Sequence, residues 1–386
     1  MAESNLFKPL RVGNTTLQHR IVMAPLTRFR ADHGTHAPLP MVKEYYAQRA
    51  SVPGTMIITE ATFISREVDG LTYAGLSHTP GVYTPEQVAA WREVTDAVHA
   101  RGSFIWMQLW ALGRATDPAR ARARGHAVKA PSPIPAGEGA HVPEEMTRED
   151  IRRVVADFAA AARSAVEEAG FDGVELHGAN GYLIDQFLQD RSNRRTDEYG
   201  GSVENRARFA FEVAEAVVAA VGADRVGIRL SPWSAFQGMR MADPVPQFAH
   251  VARALRPLGL AYLHVIGGRV DGNADREGGA DNVRFMVDAW GRASPVLIAG
   301  GFDPQSARRA VEENKDAEVA VVFGRWFISN PDLPFRVEKG IPLTPYERET
   351  FYAETNKGYT DYAFSDEFVK GSKVRGNRPV VSAVSA

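Results

Sequence analysis

The sequence predicts an α/β fold: a single-domain (β/α)8 TIM barrel with an N-terminal β-hairpin lid and a long loop after strand 3. Short apolar runs rich in β-branched residues recur along the chain, each followed by a polar turn and a segment with helical spacing. Eight parallel strands with helices between them close a barrel. The eight runs are IVMAPL from 21, TMIITEAT from 55, SFIWMQLW from 103, GVELHGA from 173, RVGIRLSP from 225, AYLHVIGG from 261, PVLIAGG from 295 and EVAVVFGR from 318.

Helix starts are signalled independently of the apolar runs. Two sites have the residue types of a capping box, and two pair an N-cap aspartate with proline at the first helical position. These sites are Thr84-Pro85 with Gln87, Thr147 with Asp150, Asp243-Pro244 and Asp303-Pro304. Strand and helix signals therefore alternate as a barrel requires. We assign residues 1–386 to one domain and place the barrel core at about 20–340.

Two segments lie outside the regular pattern. LRVGNTTL, with a Gly13-Asn14 turn, predicts a hairpin that closes the bottom of the barrel. The segment 113–146 is rich in Pro, Gly, Ala and Arg and follows the carboxyl end of the third strand. A loop of that length either covers the mouth of the barrel, where barrel enzymes work, or is an insertion without function.

Composition excludes several classes of protein. The 386 residues are 44% hydrophobic and 24% charged, which is ordinary for a globular chain. Because 45 Lys and Arg oppose 47 Asp and Glu, without a basic block, nucleic acid is not an expected partner. The absence of cysteine excludes disulfides and thiolate metal sites. We expect a cytoplasmic protein without membrane association, since no stretch reads as a signal peptide or a transmembrane helix.

The loops after the last two strands predict a phosphate site. AGGF contains Gly300 and Gly301, and FGRWF contains Gly324 and Arg325. Glycine turns expose backbone N–H groups, and loops seven and eight with a short helix bind phosphate in many barrels. Gly300-Gly301 alone could be a tight turn, but the arginine in the expected place favours an anion.

Polar side chains follow the fourth strand, in HGANGY from 177. His177, Asn180 and Tyr182 would converge at the barrel mouth, where substrate is held and protons move. In isolation His177 could be a satisfied histidine and Tyr182 a packing aromatic. Thr27, Gln108 and Arg229 also lie at or near strand ends, where each could be a cap, a core amide or half of an ion pair. We expect no metal site, because no ligand-spaced cluster occurs and His99 and His264 have no such neighbours.

The chain resembles the old yellow enzyme family from LFKPLRVGN at position 6 to Tyr352, most specifically in HGANGY and the following DRSNRRTDEYGG. The resemblance implies FMN as cofactor and NADPH as hydride donor, with NADH as the alternative. It implies that Thr27 binds the flavin C4 carbonyl, Gln108 the pyrimidine edge, and Arg229 the N1 and C2 side. Gly300, Gly301, Gly324 and Arg325 would hold the phosphate. Pro25, Ala61 and Phe351 would lie against the cofactor, while Trp110 and Tyr352 would wall the substrate pocket.

The same resemblance implies an ene-reductase acting on enones or nitroalkenes. His177 and Asn180 would donate hydrogen bonds to the substrate oxygen while hydride from flavin N5 reaches the β-carbon. Tyr182 would then protonate the α-carbon. The polar loop from 190 is expected to shape the barrel mouth rather than to take part in the chemistry.

Several alternatives remain open from the sequence. A redox-neutral double-bond isomerase would use the same flavin, a flavin-binding protein would show little turnover, and a flavin-free lyase would use Arg325 for a substrate phosphate. Ala61 stands where the family commonly has glycine, and Gly301 where it often has asparagine. The loops 65–81 and 267–282 differ in length from those of yeast-type members. Substrate size is therefore open, as is the choice between monomer and homodimer.

Overall fold

The strands form one large sheet and three small ones. A computed structural model describes residues 4–65, 77–123, 125–271, 274–275 and 282–374. In chain order the strands are β1 Leu10–Val12, β2 Thr15–Leu17, β3 Ile21–Met23, β4 Met56–Ile58, β5 Thr62–Phe63, β6 Phe104–Trp110, β7 Lys129–Ala130, β8 Glu144–Glu145, β9 Gly173–Gly178, β10 Val226–Leu230, β11 Tyr262–Ile266, β12 Val270–Asp271, β13 Ala274–Asp275, β14 Val296–Ala299 and β15 Val319–Phe323.

The large sheet is a closed parallel barrel. Its order is β4-β3-β15-β14-β11-β10-β9-β6, and a further pairing of β4 with β6 joins the two ends. Each of the eight predicted runs contains a barrel strand, so the predicted fold class is confirmed. Each of these eight strands is therefore paired on both sides, and all eight carboxyl ends meet at one mouth.

The second barrel strand differs from its predicted extent because it is interrupted. The run from 55 forms β4, breaks at 59–61, and resumes as β5, which pairs with the end of β6. At the break the Glu60 N–H donates to the Tyr46 hydroxyl at 3.0 Å, and the Gln108 N–H donates to Thr59 Oγ1 at 3.2 Å. Side chains thus replace ladder bonds that an apolar pattern alone would have assigned to backbone.

Helices cover the outside of the barrel. They are α1 Pro40–Arg49, α2 Pro85–His99, α3 Pro118–Ala123, α4 Arg148–Arg163, α5 Leu183–Leu188, α6 Val203–Val221, α7 Val245–Leu255, α8 Arg284–Trp290, α9 Pro304–Glu313, α10 Arg325–Ser329, α11 Leu333–Lys339 and α12 Asp366–Val374. The predicted capping boxes at Thr84 and Thr147 are confirmed, and Asp303 caps α9. At α7 the helix begins at Val245, one residue after Pro244, and the Val245 N–H donates to Asp243.

The N-terminal hairpin closes the bottom of the barrel as predicted. β1 and β2 pair antiparallel, and Gly13 turns with a φ of 55°. Leu10, Val12 and Leu17 belong to the interior apolar cluster that also holds Trp106 and Tyr262. An added Cβ at Gly13 would lie 1.9 Å from the carbonyl oxygen of Asp224, just before β10, so the turn fits closely against the amino ends of the strands.

The loop after the third strand contains short elements that its composition did not signal. It holds α3 and the two-residue strands β7 and β8, which pair with each other. Arg114 donates to the carbonyl oxygens of Ile134, Pro135 and Gln237. The guanidinium therefore ties this loop to the loop that follows β10, at the mouth of the barrel.

Within the described ranges no helix is long and apolar enough to cross a bilayer. The same residues contain no group of three or more His, Cys, Asp or Glu side chains that could hold a metal ion.

Candidate active site

A cavity of about 570 Å³ opens at the carboxyl ends of the barrel strands. That volume is within the usual range for a cofactor or small-molecule site. Of the predicted site residues, Pro25, Thr27, Asn180, Tyr182, Arg229, Gly300, Gly301, Gly324, Arg325, Phe351 and Tyr352 line it. The four others, Ala61, Gln108, Trp110 and His177, are buried in the barrel wall rather than among the residues lining the cavity.

A tight turn after β9 presents two of the predicted catalytic side chains. Asn180 and Gly181 both have positive φ, 58° and 75°, and asparagine tolerates that region better than most residues. The Asn180 N–H donates to Ser231 Oγ at 2.8 Å, and the Gly181 N–H donates to Asp185 Oδ2 at 2.8 Å. The turn is therefore held from two neighbouring elements, which fixes the direction in which Asn180 and Tyr182 leave the backbone.

His177 lies at the end of β9 and packs against Tyr182. Their ring centroids are 4.9 Å apart in an edge-to-face arrangement. Burial, together with Arg229 and His264, holds the pKa of His177 well below its ordinary value, so the ring is neutral at neutral pH. Among the described residues its Nδ1 has no hydrogen-bond partner. A neutral imidazole can offer one N–H donor, as the proposed oxygen site requires.

Tyr182 is a weaker acid than an exposed tyrosine. Burial, with a smaller contribution from Tyr352, raises its pKa to about 12, while a hydrogen bond with the Gln237 side chain opposes the rise. Gln237 Nε2 also donates to the Asn180 carbonyl oxygen at 2.9 Å. The phenol is therefore protonated at neutral pH and is held beside Asn180 by one shared amide.

Aromatic side chains build the wall behind Tyr182. Trp110 stacks on Phe63 at 5.3 Å and meets Tyr182 edge to face at 4.7 Å. Ala61 belongs to the same apolar cluster. Its methyl group is compatible with this packing.

The residues predicted to hold the flavin ring do not lie in one layer. Thr27 and Arg229 line the cavity, whereas Gln108 is buried below it and donates from Nε2 to Glu175 Oε1 at 2.7 Å. Arg229 Nε and Trp110 Nε1 have no hydrogen-bond partner within the described part of the chain. Leaving such buried donors unpaired costs about 1–3 kcal/mol each, which favours a ligand rich in acceptors here.

The predicted phosphate residues meet on one side of the cavity. Gly301 has a φ of 65°, and Gly324 caps the short helix α10, which begins with Arg325. An added Cβ at Gly324 would lie no closer than 3.6 Å to another protein atom. The protein itself thus leaves room beside Gly324, as an anion site requires.

A segment after the barrel completes the cavity. Phe351 and Tyr352 lie beyond the last barrel helix, and Tyr352 is 46% exposed at the rim. Arg28 donates to the carbonyl oxygens of Phe351 and Gly358, and its own side chain is fully buried. Two further buried arginines, Arg30 and Arg49, bind carbonyl oxygens of the same segment.

The sequence reasoning missed Glu175, Asp185 and Gln237. Glu175 could have been noticed because a carboxylate in an apolar strand two residues before His177 must face the barrel interior. Asp185 and Gln237 give no such signal, since an acidic residue in a first helical turn and a glutamine in a loop are both ordinary.

Comparison with known proteins identifies the family. The model of the NADH:flavin oxidoreductase / NADH oxidase family matches residues 5–344. The old yellow enzyme from Pichia sp. AKU4542 superposes with a TM-score of 0.86 at 37% identity, covering 100% of this chain and 97% of that one. This chain belongs to the old yellow enzyme family.

Two curated relatives extend the comparison. The enzyme is 55% identical over 370 residues to the chanoclavine-I aldehyde reductase fgaOx3 of Penicillium roqueforti, covering 95% of this chain and 98% of the relative. It is 49% identical over 381 residues to the probable inactive reductase easA of Epichloe festucae var. lolii, covering 97% and 98%. High similarity thus extends both to a named reductase and to a relative named inactive.

Family membership makes the protein an oxidoreductase with FMN as cofactor and NADPH or NADH as electron donor. The cavity agrees with that cofactor. Arg229 Nε and Trp110 Nε1 are buried donors without a hydrogen-bond partner among the described residues, and Gly300 and Gly324 have open space beside them. Thr27, Arg229 and Gln108 would hold the ring system, and Gly300, Gly301, Gly324 and Arg325 the phosphate.

Proposed function

We propose that this enzyme reduces the activated carbon–carbon double bond of α,β-unsaturated carbonyl or nitro compounds with NADPH. The observation that carries the proposal is that Asn180 and Tyr182 line the cavity and that His177 packs directly against Tyr182. When bound, FMN would supply the hydride for the β-carbon of the substrate, with NADPH as the source of that hydride. The protein residues then have to hold the substrate oxygen and deliver one proton.

His177 and Asn180 are suited to hold that oxygen. The neutral imidazole and the carboxamide each offer an N–H donor, and the turn after β9 keeps the asparagine in place. Negative charge develops on the substrate oxygen as hydride adds to the β-carbon. Donors fixed in a buried site stabilise that charge without having to reorganise.

Tyr182 is suited to protonate the α-carbon. Its high pKa keeps the proton on the phenol until a strongly basic carbon is formed beside it. The name of the Penicillium roqueforti relative supports an aldehyde as one substrate to be tested. The chemistry proposed for Tyr182 requires that aldehyde to be α,β-unsaturated.

The proposal is tested by measuring NADPH consumption and product together under anaerobic conditions. A cyclic enone, an α,β-unsaturated aldehyde and a nitroalkene should each give saturated product, with one NADPH oxidised per product molecule. Product that forms without NADPH oxidation would instead identify a redox-neutral isomerase.

The relative named inactive favours a second candidate, a flavin-binding protein with little turnover. That candidate predicts tightly bound FMN and negligible NADPH oxidation with all three acceptors.

A further inference from the structure

A fully buried carboxylate lies in the barrel beneath the cavity and accepts hydrogen bonds from three side chains. Glu175 Oε1 accepts from Gln108 Nε2 at 2.7 Å. Its Oε2 accepts from the Tyr262 hydroxyl at 3.1 Å and from His264 Nδ1 at 2.7 Å. The donors come from β6, which pairs with β9, and from β11, which is separated from β9 by β10. All four side chains are 1% exposed or less.

The strand between β9 and β11 makes room for this arrangement. Gly227 of β10 lies opposite both Glu175 and Tyr262. An added Cβ at Gly227 would lie 2.2 Å from Tyr262 Cζ, so the tyrosine ring passes across the glycine to reach the carboxylate. A side chain at position 227 would break the contact, which makes the network a specific feature of this barrel rather than generic packing.

The network fixes the orientation of the Gln108 amide. An ionised carboxylate only accepts hydrogen bonds, so the NH₂ group of Gln108 has to face Glu175. The carbonyl oxygen of Gln108 and its second N–H are then left for the cofactor. A flavin presents one donor and two acceptors along its pyrimidine edge, and the fixed amide matches this pattern in one orientation only.

The carboxylate is ionised despite its burial. Burial favours the neutral acid, but His264, Arg229 and Gln108 outweigh it and hold the pKa of Glu175 below its ordinary value. Arg229 lies opposite His177 and His264 in register, and it lines the cavity above this layer. The carboxylate therefore carries a negative charge that interacts with the positive charge of Arg229. Burial lowers the pKa of His264, so that ring stays neutral and does not cancel the charge.

We propose that Glu175 is a positioning residue for FMN, which presets the Gln108 amide for the pyrimidine edge and lowers the flavin midpoint potential by offsetting the charge of Arg229. A negative charge near the ring disfavours the electron-rich reduced form. The proposal rests on FMN binding and not on the choice of substrate. It is tested without any enone, so its failure is separable from that of the proposed reduction.

Two variants separate orientation from charge. Glu175→Gln removes the charge and should move the midpoint potential to a more positive value, while weakening FMN affinity by about tenfold. Glu175→Asp keeps the charge on a shorter side chain that cannot span the three donors. It should weaken FMN affinity to a similar degree and leave the potential near that of the wild type. Titration of apoprotein with FMN and an equilibrium redox titration of the holoprotein give the two values.

Asp332→Asn is the matched control. Asp332 is also fully buried. It accepts hydrogen bonds from Arg336 Nε at 2.7 Å, from Ser365 N at 2.9 Å and from Ser365 Oγ at 2.6 Å. These donors belong to α11 and to the residue before α12, and not to the barrel strands. Its variant should lose stability and keep both FMN affinity and potential. Unchanged potential in Glu175→Gln, or unchanged FMN affinity in Glu175→Asp, would overturn the proposal. The FMN affinity of Glu175→Asp tests the proposal even if Glu175→Gln does not fold.

Discussion

At the residue scale, burial gives Tyr182 and His177 complementary properties. The pKa of Tyr182 is raised to about 12, and the pKa of His177 lies well below its ordinary value, in both cases chiefly because burial disfavours charge. Tyr182 therefore keeps a proton to give, while His177 remains a neutral donor. Burial thus leaves Tyr182 protonated and His177 neutral, as their proposed roles require.

Tyr182→Phe should separate the two half-reactions. The ring that packs on Trp110 and His177 is retained, so reduction of the flavin by NADPH should be nearly unchanged. Reoxidation by an enone should slow on the order of 10²-fold, because the α-carbon loses its proton donor. Stopped-flow measurement of each half-reaction decides the point. Reoxidation by a nitroalkene should be slowed less than reoxidation by an enone. Equal slowing of both half-reactions would show that the tyrosine has another role.

His177→Ala and Asn180→Ala should weaken binding of para-substituted phenols to the oxidised enzyme by about tenfold each. Two donors on one oxygen favour the phenolate, so affinity in the wild type should rise as the phenol pKa falls at fixed pH. The long-wavelength band of a phenolate stacked on flavin reports binding. If both variants bind phenols as tightly as the wild type, or if either variant loses FMN, His177 and Asn180 have a structural role and do not bind the substrate oxygen.

At the element scale, the turn between β9 and α5 depends on a buried carboxyl group. Asp185 accepts from the Gly181 N–H and from Gln189 Nε2, yet burial raises its pKa to about 7. The unfolded state loses this proton near the ordinary value of 3.8. The stabilising contribution of the group is therefore fully present below about pH 4 and is lost as pH rises through 7.

Asp185→Asn should remove this pH dependence. Between pH 4 and 8 the unfolding free energy of the wild type should fall relative to that of the variant, as measured by urea denaturation of FMN-saturated protein. Asp150→Asn is a control of opposite sign, because hydrogen bonds with Lys129 and Thr147 overcome burial and lower the pKa of Asp150. Its carboxylate stabilises the fold above the unfolded pKa and loses that effect as pH falls. A constant difference between wild type and Asp185→Asn at all pH values would contradict the assignment.

At the scale of the whole molecule, the cavity depends on joining the end of the chain to its beginning. The family model ends at residue 344, but Phe351 and Tyr352 still line the site. Three buried arginines from the first barrel unit, Arg28, Arg30 and Arg49, hold this segment through its carbonyl oxygens. Planar guanidinium groups suit that task because each offers several fixed donors to acceptors along an irregular backbone.

The sequence by itself determined the barrel and singled out the candidate site at the end of its fourth strand. Eight apolar runs, the capping residues at Thr84, Thr147 and Asp303, and the Gly13-Asn14 turn are local patterns, and each is confirmed where it was predicted. His177, Asn180 and Tyr182 could be singled out because the carboxyl end of a barrel strand is a known place for function. The cofactor was inferred from the resemblance, and the comparisons support it.

Only the tertiary structure decided how these groups are held and how they are charged. The partners of Glu175 lie 67, 87 and 89 residues away in the chain, so no local pattern can announce them. The break in the second strand depends on a hydroxyl from α1, and the pKa values of Tyr182 and Asp185 depend on burial by several elements. Local patterns fix secondary structure because they act between near neighbours. Hydrogen-bond partners and desolvation are properties of the packed barrel, and they exist only once it has closed.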